Sequence, residues 1–264
     1  MTPYREILPR GDPIPIIVSI PHTGTELPES VAERFAGPEM RALPMTDWHL
    51  HRLYDFLPEL GIASIHARFS RLVVDLNRPP DGEALYPGRY ETSLVATETF
   101  DGEEIFREPP GPETTEALRG RYYEPYHTRL AELLQGAIDR FGRVVLVDAH
   151  SVASRANRIH PALMSDIYLG DRDGLACEPW LTEALRVGFA ATGLEVQIND
   201  PYKGGYTTHN YGQWPGVDAI QIEMCQRLYM DEGQPEKFVE ESWELTRKRL
   251  VKVFAALAQR LERS

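Results

Sequence analysis

Val144-Val-Leu-Val-Asp-Ala-His-Ser151 is the stretch that decides the fold. It opens with four apolar residues, as a strand buried on both faces does, and it ends in an acid, a histidine and a hydroxyl. Open α/β sheets hold their ligand sites at the carboxyl ends of such strands. We therefore predict a buried central strand that carries His150 at its functional end.

A second apolar run, from Ile14 to Pro21, leads directly to another histidine, His22. Thr23 and Gly24 follow it and form a turn that can direct the imidazole away from the sheet edge. Because both histidines stand where a strand ends, the pattern indicates a metal site.

Short apolar runs alternate with helical patterns along the rest of the chain. We predict strands at 14–20, 62–65, 72–76, 144–147, 166–169, 194–198 and 219–222. We predict helices at 47–57, at 114–141 with a break or kink at Pro125, and at 235–261. The alternation predicts an α/β fold, with a central mixed, largely parallel sheet flanked by helices.

Size and cysteine usage limit the class of protein. A chain of 264 residues can bury about three-quarters of its unfolded surface, so we expect one domain over residues 1–264. Cys177 and Cys225 show no Cys-x-x-Cys spacing, which argues against a disulfide framework and a structural zinc knot. We find no signal peptide and no membrane span. We expect a soluble cytoplasmic protein, either a monomer or a small homo-oligomer.

The charge distribution points to a small acidic ligand. The net charge of −12 is spread along the chain, which makes nucleic acid an unsuitable partner. Four arginines nevertheless fall close together, at positions 68, 71, 78 and 89. Concentrated guanidinium groups suit a ligand that bears carboxylates.

Two stretches break the alternation of strands and helices. Residues 79–113 contain many prolines and glycines with little periodicity, and residues 199–212 are rich in turn formers and hydrogen-bonding side chains. Loops of this length in compact domains are functional or disordered. We predict that the second stretch forms a lid or a pocket wall.

A catalytic zinc takes three nitrogen or carboxylate ligands, so His22 and His150 need one acidic partner. Asp47 lies at the start of a predicted helix, and Glu26 stands four residues beyond His22, from where it could fold back. We favour Asp47 and keep Glu26 as the alternative. Asp148 is interpreted as a buried acid that supports a ligand.

Two further strand exits carry polar groups. Asp75-Leu-Asn-Arg78 ends the strand predicted at 72–76, and Asn77 with Arg78 forms a polar fork that can hold a substrate carboxylate. Glu223 directly follows the residues of the last predicted strand, which is largely apolar. An ionised carboxylate in such a place is costly unless it has a role or a partner. A general base beside an activated water would explain Glu223.

Taken together, Pro21-His-Thr-Gly24, Asp75-Leu-Asn-Arg78, Asp148-Ala-His-Ser151 and Gln221-Ile-Glu-Met224 resemble the N-formylglutamate amidohydrolase family. Further segments that resemble the same family are Thr46-Asp-Trp48, Leu85-Tyr-Pro87, Gly204-Gly-Tyr-Thr207 and Arg227-Leu-Tyr-Met-Asp-Glu232. The resemblance covers nearly the whole chain, and it is strongest to the deformylase branch that acts in histidine degradation.

The family is similar to zinc carboxypeptidases and aspartoacylases, which implies a phosphorylase/hydrolase-like fold and one zinc ion, or another divalent metal. In those relatives a His-x-x-Glu pair and a distant histidine bind the metal. Thr25 stands three residues after His22 here, so the acid must come from elsewhere, which favours Asp47. The resemblance thus implies His22, Asp47 and His150 as metal ligands.

The resemblance also implies roles in hydrolysis of N-formyl-L-glutamate to formate and L-glutamate. Glu223 would move the proton and Arg71 would stabilise the oxyanion. One substrate carboxylate would bind Asn77 and Arg78, and the candidates for the second are Arg89, Lys203 and His209. The alternatives are an enzyme for another N-acyl acidic amino acid or a cell-wall peptide, and a non-catalytic dicarboxylate binder. Neither Ser151 nor Cys225 lies in a nucleophile elbow.

Overall fold

Seven strands form one mixed sheet in the computed structural model, which describes residues 2–237 and 239–262. They are β1 Tyr4–Ile7, β2 Ile16–Ile20, β3 Ala63–Ala67, β4 Val144–Val152, β5 Ile167–Gly170, β6 Val196–Ile198 and β7 Val217–Cys225. Their order across the sheet is β1-β3-β2-β4-β7-β5-β6. The pairs β1/β3 and β5/β7 are antiparallel and the others are parallel. The predicted α/β fold with a mixed, largely parallel sheet is confirmed.

Helices cover both faces of this sheet. They are α1 Glu29–Ala32, α2 Leu50–Leu53, α3 Pro112–Leu118, α4 Glu124–Phe141, α5 Pro179–Ala190, α6 Tyr206–Tyr211 and α7 Glu240–Glu262. Short 3-10 turns span Pro38–Ala42, Leu57–Leu60 and Gln226–Leu228, and a π turn spans Arg119–Tyr123. One apolar core joins α2, α5 and α7 to the sheet, and a second joins α4 and α6 to the opposite face.

The sequence of the long helix α4 determines which face of the helix packs on the sheet and where the helix begins and ends. Tyr126, Leu130 and Leu134 recur at intervals of four and are fully buried, so one stripe of the helix packs on the sheet. Pro125 occupies the first turn of α4, where a missing N–H costs nothing, so the helix does not break there; the irregularity is the π turn Arg119–Tyr123, which ends two residues before Pro125. Gly142 ends the helix with a φ of +77°.

The strand predicted at 72–76 is wrong. Leu72, Val73 and Val74 are buried, but they lie in a turn that packs into the second core. The Val73 N–H donates to the Ser70 carbonyl, a local bond that a strand would not make. A short apolar run is equally typical of any fully buried segment, so burial did not distinguish strand from turn.

Other element limits also differ from the predictions. The edge strand β1 was not predicted, and within 47–57 only α2 is helical, because His49 with a φ of +60° delays the start. The terminal helix begins at Glu240 rather than at 235, and Phe238, which falls within the predicted range, lies outside the described residues. No helix among the described residues is long and apolar enough to cross a lipid bilayer.

The three central strands bring the predicted functional residues together. β2, β4 and β7 are adjacent and parallel, so their carboxyl ends meet at one edge of the sheet. His22 follows β2 by two residues, and His150 on β4 pairs in register with Glu223 on β7. The irregular segments 79–111 and 199–205 supply residues that line a cavity above this edge.

Candidate metal centre and active site

Two histidines and one aspartate form a buried cluster at the carboxyl edge. His22, Asp47 and His150 are 3%, 2% and 3% exposed, and one ligand atom of each lies within 4.8 Å of the others. Backbone groups tie the three segments together. The Asp47 N–H donates to the His22 carbonyl at 3.0 Å, and the Ser151 N–H donates to Asp47 Oδ2 at 3.1 Å.

Each imidazole of the cluster has a carboxylate on its far side. His22 Nε2 lies 2.6 Å from Asp75 Oδ1, and His150 Nε2 lies 3.1 Å from Asp148 Oδ2. A carboxylate behind a metal-binding histidine selects the tautomer and orients the ring. With Nε2–H donated to these acids, Nδ1 of each ring carries the free lone pair.

The remaining atoms of the cluster fit a cation. The two Nδ1 atoms are 3.1 Å apart, and His150 Nδ1 lies 3.4 Å from Asp47 Oδ2. The lone pairs of the two Nδ1 atoms and of Asp47 Oδ2 repel one another at these distances unless a proton or a metal ion lies between them. Burial lowers the pKa of His150, but Asp148 and Asp47 outweigh it and hold that pKa well above its usual value. Two nitrogens and one carboxylate oxygen are a donor set for zinc.

Asn77 supports the cluster from the side. Its amide nitrogen donates to Asp148 Oδ2 at 3.0 Å and lies 2.9 Å from His150 Nε2, while its oxygen accepts from the Thr207 N–H at 2.7 Å. These contacts use both ends of the amide. The amide of Asn77 therefore holds Asp148, the carboxylate behind His150; Asn77 also lines the cavity, and its contact with a substrate carboxylate stays a prediction.

His127 on α4 supports, by a hydrogen bond, the segment that carries Asn77. Its Nε2 lies 2.8 Å from the Leu76 carbonyl and its Nδ1 lies 3.0 Å from the Tyr211 hydroxyl. A neutral ring satisfies both contacts, because Nε2–H donates to the carbonyl and Nδ1 accepts from the phenol. Burial lowers the pKa of His127 to about 4.

This burial predicts an acid-sensitive fold. Between pH 6.5 and 4 the unfolded chain protonates this histidine and the folded chain does not, so the free energy of unfolding falls as the pH drops through that window. The contribution lost is at most about 3 kcal/mol. We expect His127→Gln to lose part of this dependence, which urea unfolding at pH 7 and pH 5 would measure. An unchanged pH dependence in the variant would contradict the assignment.

Glu223 lies beside the cluster on β7 and faces the cavity. Gln221 Nε2 donates to its Oε1 at 2.9 Å, and Gln221 is itself held by the Gly205 N–H. Burial raises the pKa of Glu223 to about 8, with His150 acting against the shift and Asp47 adding to it. A carboxylate with a raised pKa at a cavity wall is suited to accept and return a proton.

Arg71 joins the same network from the buried turn. Its Nη2 donates to Asp75 Oδ2 at 2.6 Å, and its guanidinium carbon lies 5.0 Å from the centre of the Phe100 ring. Burial would raise the pKa of Asp75, but Arg71 and His22 overcome it and keep that pKa well below its usual value. Asp75 therefore stays ionised between a cation and a candidate ligand.

Cationic side chains line the cavity that opens above the cluster. Arg78, Arg89 and Lys203 are among its lining residues. Arg78 is held by the Thr92 and Asn77 carbonyls, and Arg89 by the Pro201 carbonyl. The predicted candidate His209, on the short helix α6, is not among the residues that line this cavity; its ring Nε2 lies 3.3 Å from Gln213 Nε2.

The alternative acid, Glu26, lies away from the cluster. It makes a salt bridge with Arg68 at 2.7 Å and borders a separate cavity. Sequence reasoning missed several residues of the site: the cavity walls Tyr86, Tyr90, Phe100 and Tyr202, and the supporting side chains Gln221 and Gln226. The aromatic residues lie in the irregular segments, where no periodicity marks an inward-facing position.

A mixed α/β sheet with a buried His-Asp-His cluster at its carboxyl edge, next to a carboxylate of raised pKa, is the arrangement of a hydrolase with a candidate metal site. Comparison with known families agrees with this class. The model of the N-formylglutamate amidohydrolase family matches residues 14–230. The chain belongs to this family, and the resemblance inferred from its sequence is confirmed.

Individual relatives match over most of their length. The N-formylglutamate deformylase of Pseudomonas aeruginosa is 40% identical over 238 residues, covering 89% of each chain. That of Pseudomonas putida is 38% identical over 251 residues, covering 92% of each. Among solved structures, an N-formylglutamate amidohydrolase from Ralstonia eutropha JMP134 superposes with a TM-score of 0.88 at 29% identity, covering 100% of this chain and 99% of the other.

Proposed function

We propose that this protein hydrolyses the formamide bond of N-formyl-L-glutamate, giving formate and L-glutamate, with one zinc ion as its cofactor. The observation that carries the proposal is the buried cluster of His22, Asp47 and His150, next to Glu223 and open to a cavity lined by arginines. The names of the two Pseudomonas relatives support the choice of substrate. The unpaired cysteines are compatible with action in the cytoplasm.

Zinc bound by His22, Asp47 and His150 would act as a Lewis acid on the formyl carbonyl and lower the pKa of a water toward about 7. Glu223 takes a proton from the attacking water and later delivers it to the departing amine nitrogen. The water oxygen forms the new bond to the formyl carbon, the carbon–nitrogen bond breaks, and no other reactant is needed. Arg71 donates to the oxygen that gains negative charge.

The substrate is a dicarboxylate, and the cavity offers cations for both ends. Among the described residues Arg78 Nη2 has no hydrogen-bond partner, while the rest of its guanidinium is anchored to carbonyls. That arrangement leaves a donor for one substrate carboxylate. Arg89 and Lys203 also line the cavity and are the candidates for the second carboxylate; Lys203 makes a salt bridge with Asp173 at 2.6 Å, which a substrate carboxylate would share.

A direct assay tests this function. We expect the purified protein to release formate from N-formyl-L-glutamate, to lose that activity after dialysis against a chelator, and to regain it with one equivalent of Zn²⁺. N-acetyl-L-glutamate and N-formyl-L-leucine serve as matched substrates that change only the acyl group or only the side-chain charge. Faster turnover of the acetyl compound would reassign the substrate, and full activity in the chelated protein would contradict the metal.

A further inference from the structure

The segment that follows β7 contacts both sides of Asp47. This segment, Gln226 to Tyr229, overlaps the family-like motif Arg227–Glu232, which the proposed chemistry does not use. Gln226 Nε2 donates to the Thr46 carbonyl at 3.1 Å. The Tyr229 hydroxyl donates to the Trp48 carbonyl at 2.9 Å. The two neighbours of Asp47 in the chain are therefore each held by a buried side chain.

Ser151 connects these two side chains. Its Oγ lies 3.2 Å from Gln226 Nε2 and 2.8 Å from the Tyr229 hydroxyl. A phenol has one proton, and the Trp48 carbonyl can only accept, so the Ser151 hydroxyl donates to Tyr229 and accepts from Gln226. Each donated hydrogen in this set has its own acceptor, because the Gln226 amide nitrogen carries two hydrogens. The Ser151 N–H completes it by donating to the Asp47 carboxylate.

The backbone around Asp47 needs external support. Leu43, Met45 and His49 have φ values of 54°, 67° and 60°, in the left-handed region that residues with a side chain disfavour. Such residues are strained and persist only where the surrounding structure holds them. The residues from 43 to 49 also belong to neither a helix nor a strand.

We propose that Gln226, Ser151 and Tyr229 are positioning residues that hold Asp47 in place for metal binding. This inference rests on the proposed zinc site. The three side chains are buried, at 7%, 6% and 1% exposure. Gln226 and Tyr229 donate to the carbonyls on either side of Asp47, and the Ser151 hydroxyl joins these two side chains while its backbone N–H donates to the Asp47 carboxylate. Their effect is exerted through the carboxylate, because an aspartate displaced by a fraction of an ångström no longer meets both imidazoles.

Tyr229→Phe is the main test, because it removes one hydroxyl and leaves the ring in the core. We expect the dissociation constant for Zn²⁺, measured by competition with a chelating dye, to rise about 10-fold to 100-fold, the usual effect of losing a group that orients a ligand. Tyr54→Phe is the matched control. Tyr54 lies in the same core, and its buried hydroxyl has no hydrogen-bond partner among the described residues. Zinc affinity in this control should equal that of the wild type.

Two readouts separate positioning from general loosening of the fold. The visible absorption spectrum of the Co²⁺-substituted protein reports ligand geometry, and we expect it to change in Tyr229→Phe and not in Tyr54→Phe. At saturating zinc, KM for the substrate should stay at the wild-type value while kcat falls. Tyr229→Phe combined with Ser151→Ala should weaken zinc binding by less than the product of the two single effects, because both changes break the same Ser151–Tyr229 hydrogen bond.

The outcomes distinguish this inference from the function on which it rests. If the wild type binds no stoichiometric metal, both proposals are overturned. If the wild type binds zinc and Tyr229→Phe binds it equally tightly with an unchanged Co²⁺ spectrum, only the positioning role is overturned. Gln226→Leu is a second variant with the same expectation, should it fold.

Discussion

Replacement of Glu223 by glutamine is expected to reduce kcat for formate release by about 10²-fold to 10⁴-fold, the usual contribution of a general acid–base group. The amide has nearly the shape of the carboxylate, and its oxygen can still accept from Gln221. It cannot take a proton from water at neutral pH. The loss should therefore fall on turnover rather than on folding.

Zinc content is the internal control for this variant. Glu223 is not part of the His-Asp-His cluster, so Glu223→Gln should still bind one equivalent of zinc, measured by atomic absorption. The melting temperature should stay close to that of the wild type, because the amide nearly matches the carboxyl group in shape and can keep the hydrogen bond from Gln221. Wild-type turnover in a zinc-loaded Glu223→Gln enzyme would remove Glu223 from the mechanism.

Replacement of Asp47 by alanine is expected to abolish stoichiometric zinc binding and, with it, activity. Asp47 contributes the only carboxylate of the cluster among the described residues, and its negative charge offsets part of the charge of a divalent ion. Its loss also frees the Ser151 N–H. Equilibrium dialysis with Zn²⁺ at neutral pH would measure the effect.

Glu26→Ala is the matched control, since it also removes one acidic side chain close to His22 in sequence. Glu26 is bonded to Arg68 and lies outside the cluster, so this variant should keep wild-type zinc affinity. Loss of zinc from Glu26→Ala together with retention by Asp47→Ala would reverse the assignment of the acidic ligand.

The functional edge of the sheet was predictable because parallel strands place their carboxyl ends together. Continuous apolar runs marked β2, β4 and β7, and the polar residues at their ends, His22, His150 and Glu223, meet in the structure. Asp47 could be favoured over Glu26 but not settled, because its position depends on three left-handed residues and on bonds from a segment about 180 positions away.

Other features depend on tertiary packing that leaves no periodic signal. The run at 72–76 has a composition typical of a strand, yet it turns, because Arg71 and Asp75 must both reach the buried network. Asn77 carries the polar groups expected of a substrate-binding residue, but its amide nitrogen donates to Asp148 and its oxygen accepts from the Thr207 N–H. His209 lies in a polar segment rich in candidate ligands, and only the direction of α6 determines that it faces elsewhere.

The backbone hydrogen bonds that join the three candidate ligands have a consequence for the assembly of the proposed zinc site. His22, Asp47 and His150 come from distant parts of the sequence, and the bonds that join their segments span the first and second halves of the chain. A short fragment of the chain cannot assemble the cluster. Zinc bound at the proposed site would therefore raise the free energy of unfolding of the whole chain. Under the proposed function, the zinc site would be complete only once β4 has paired beside β2.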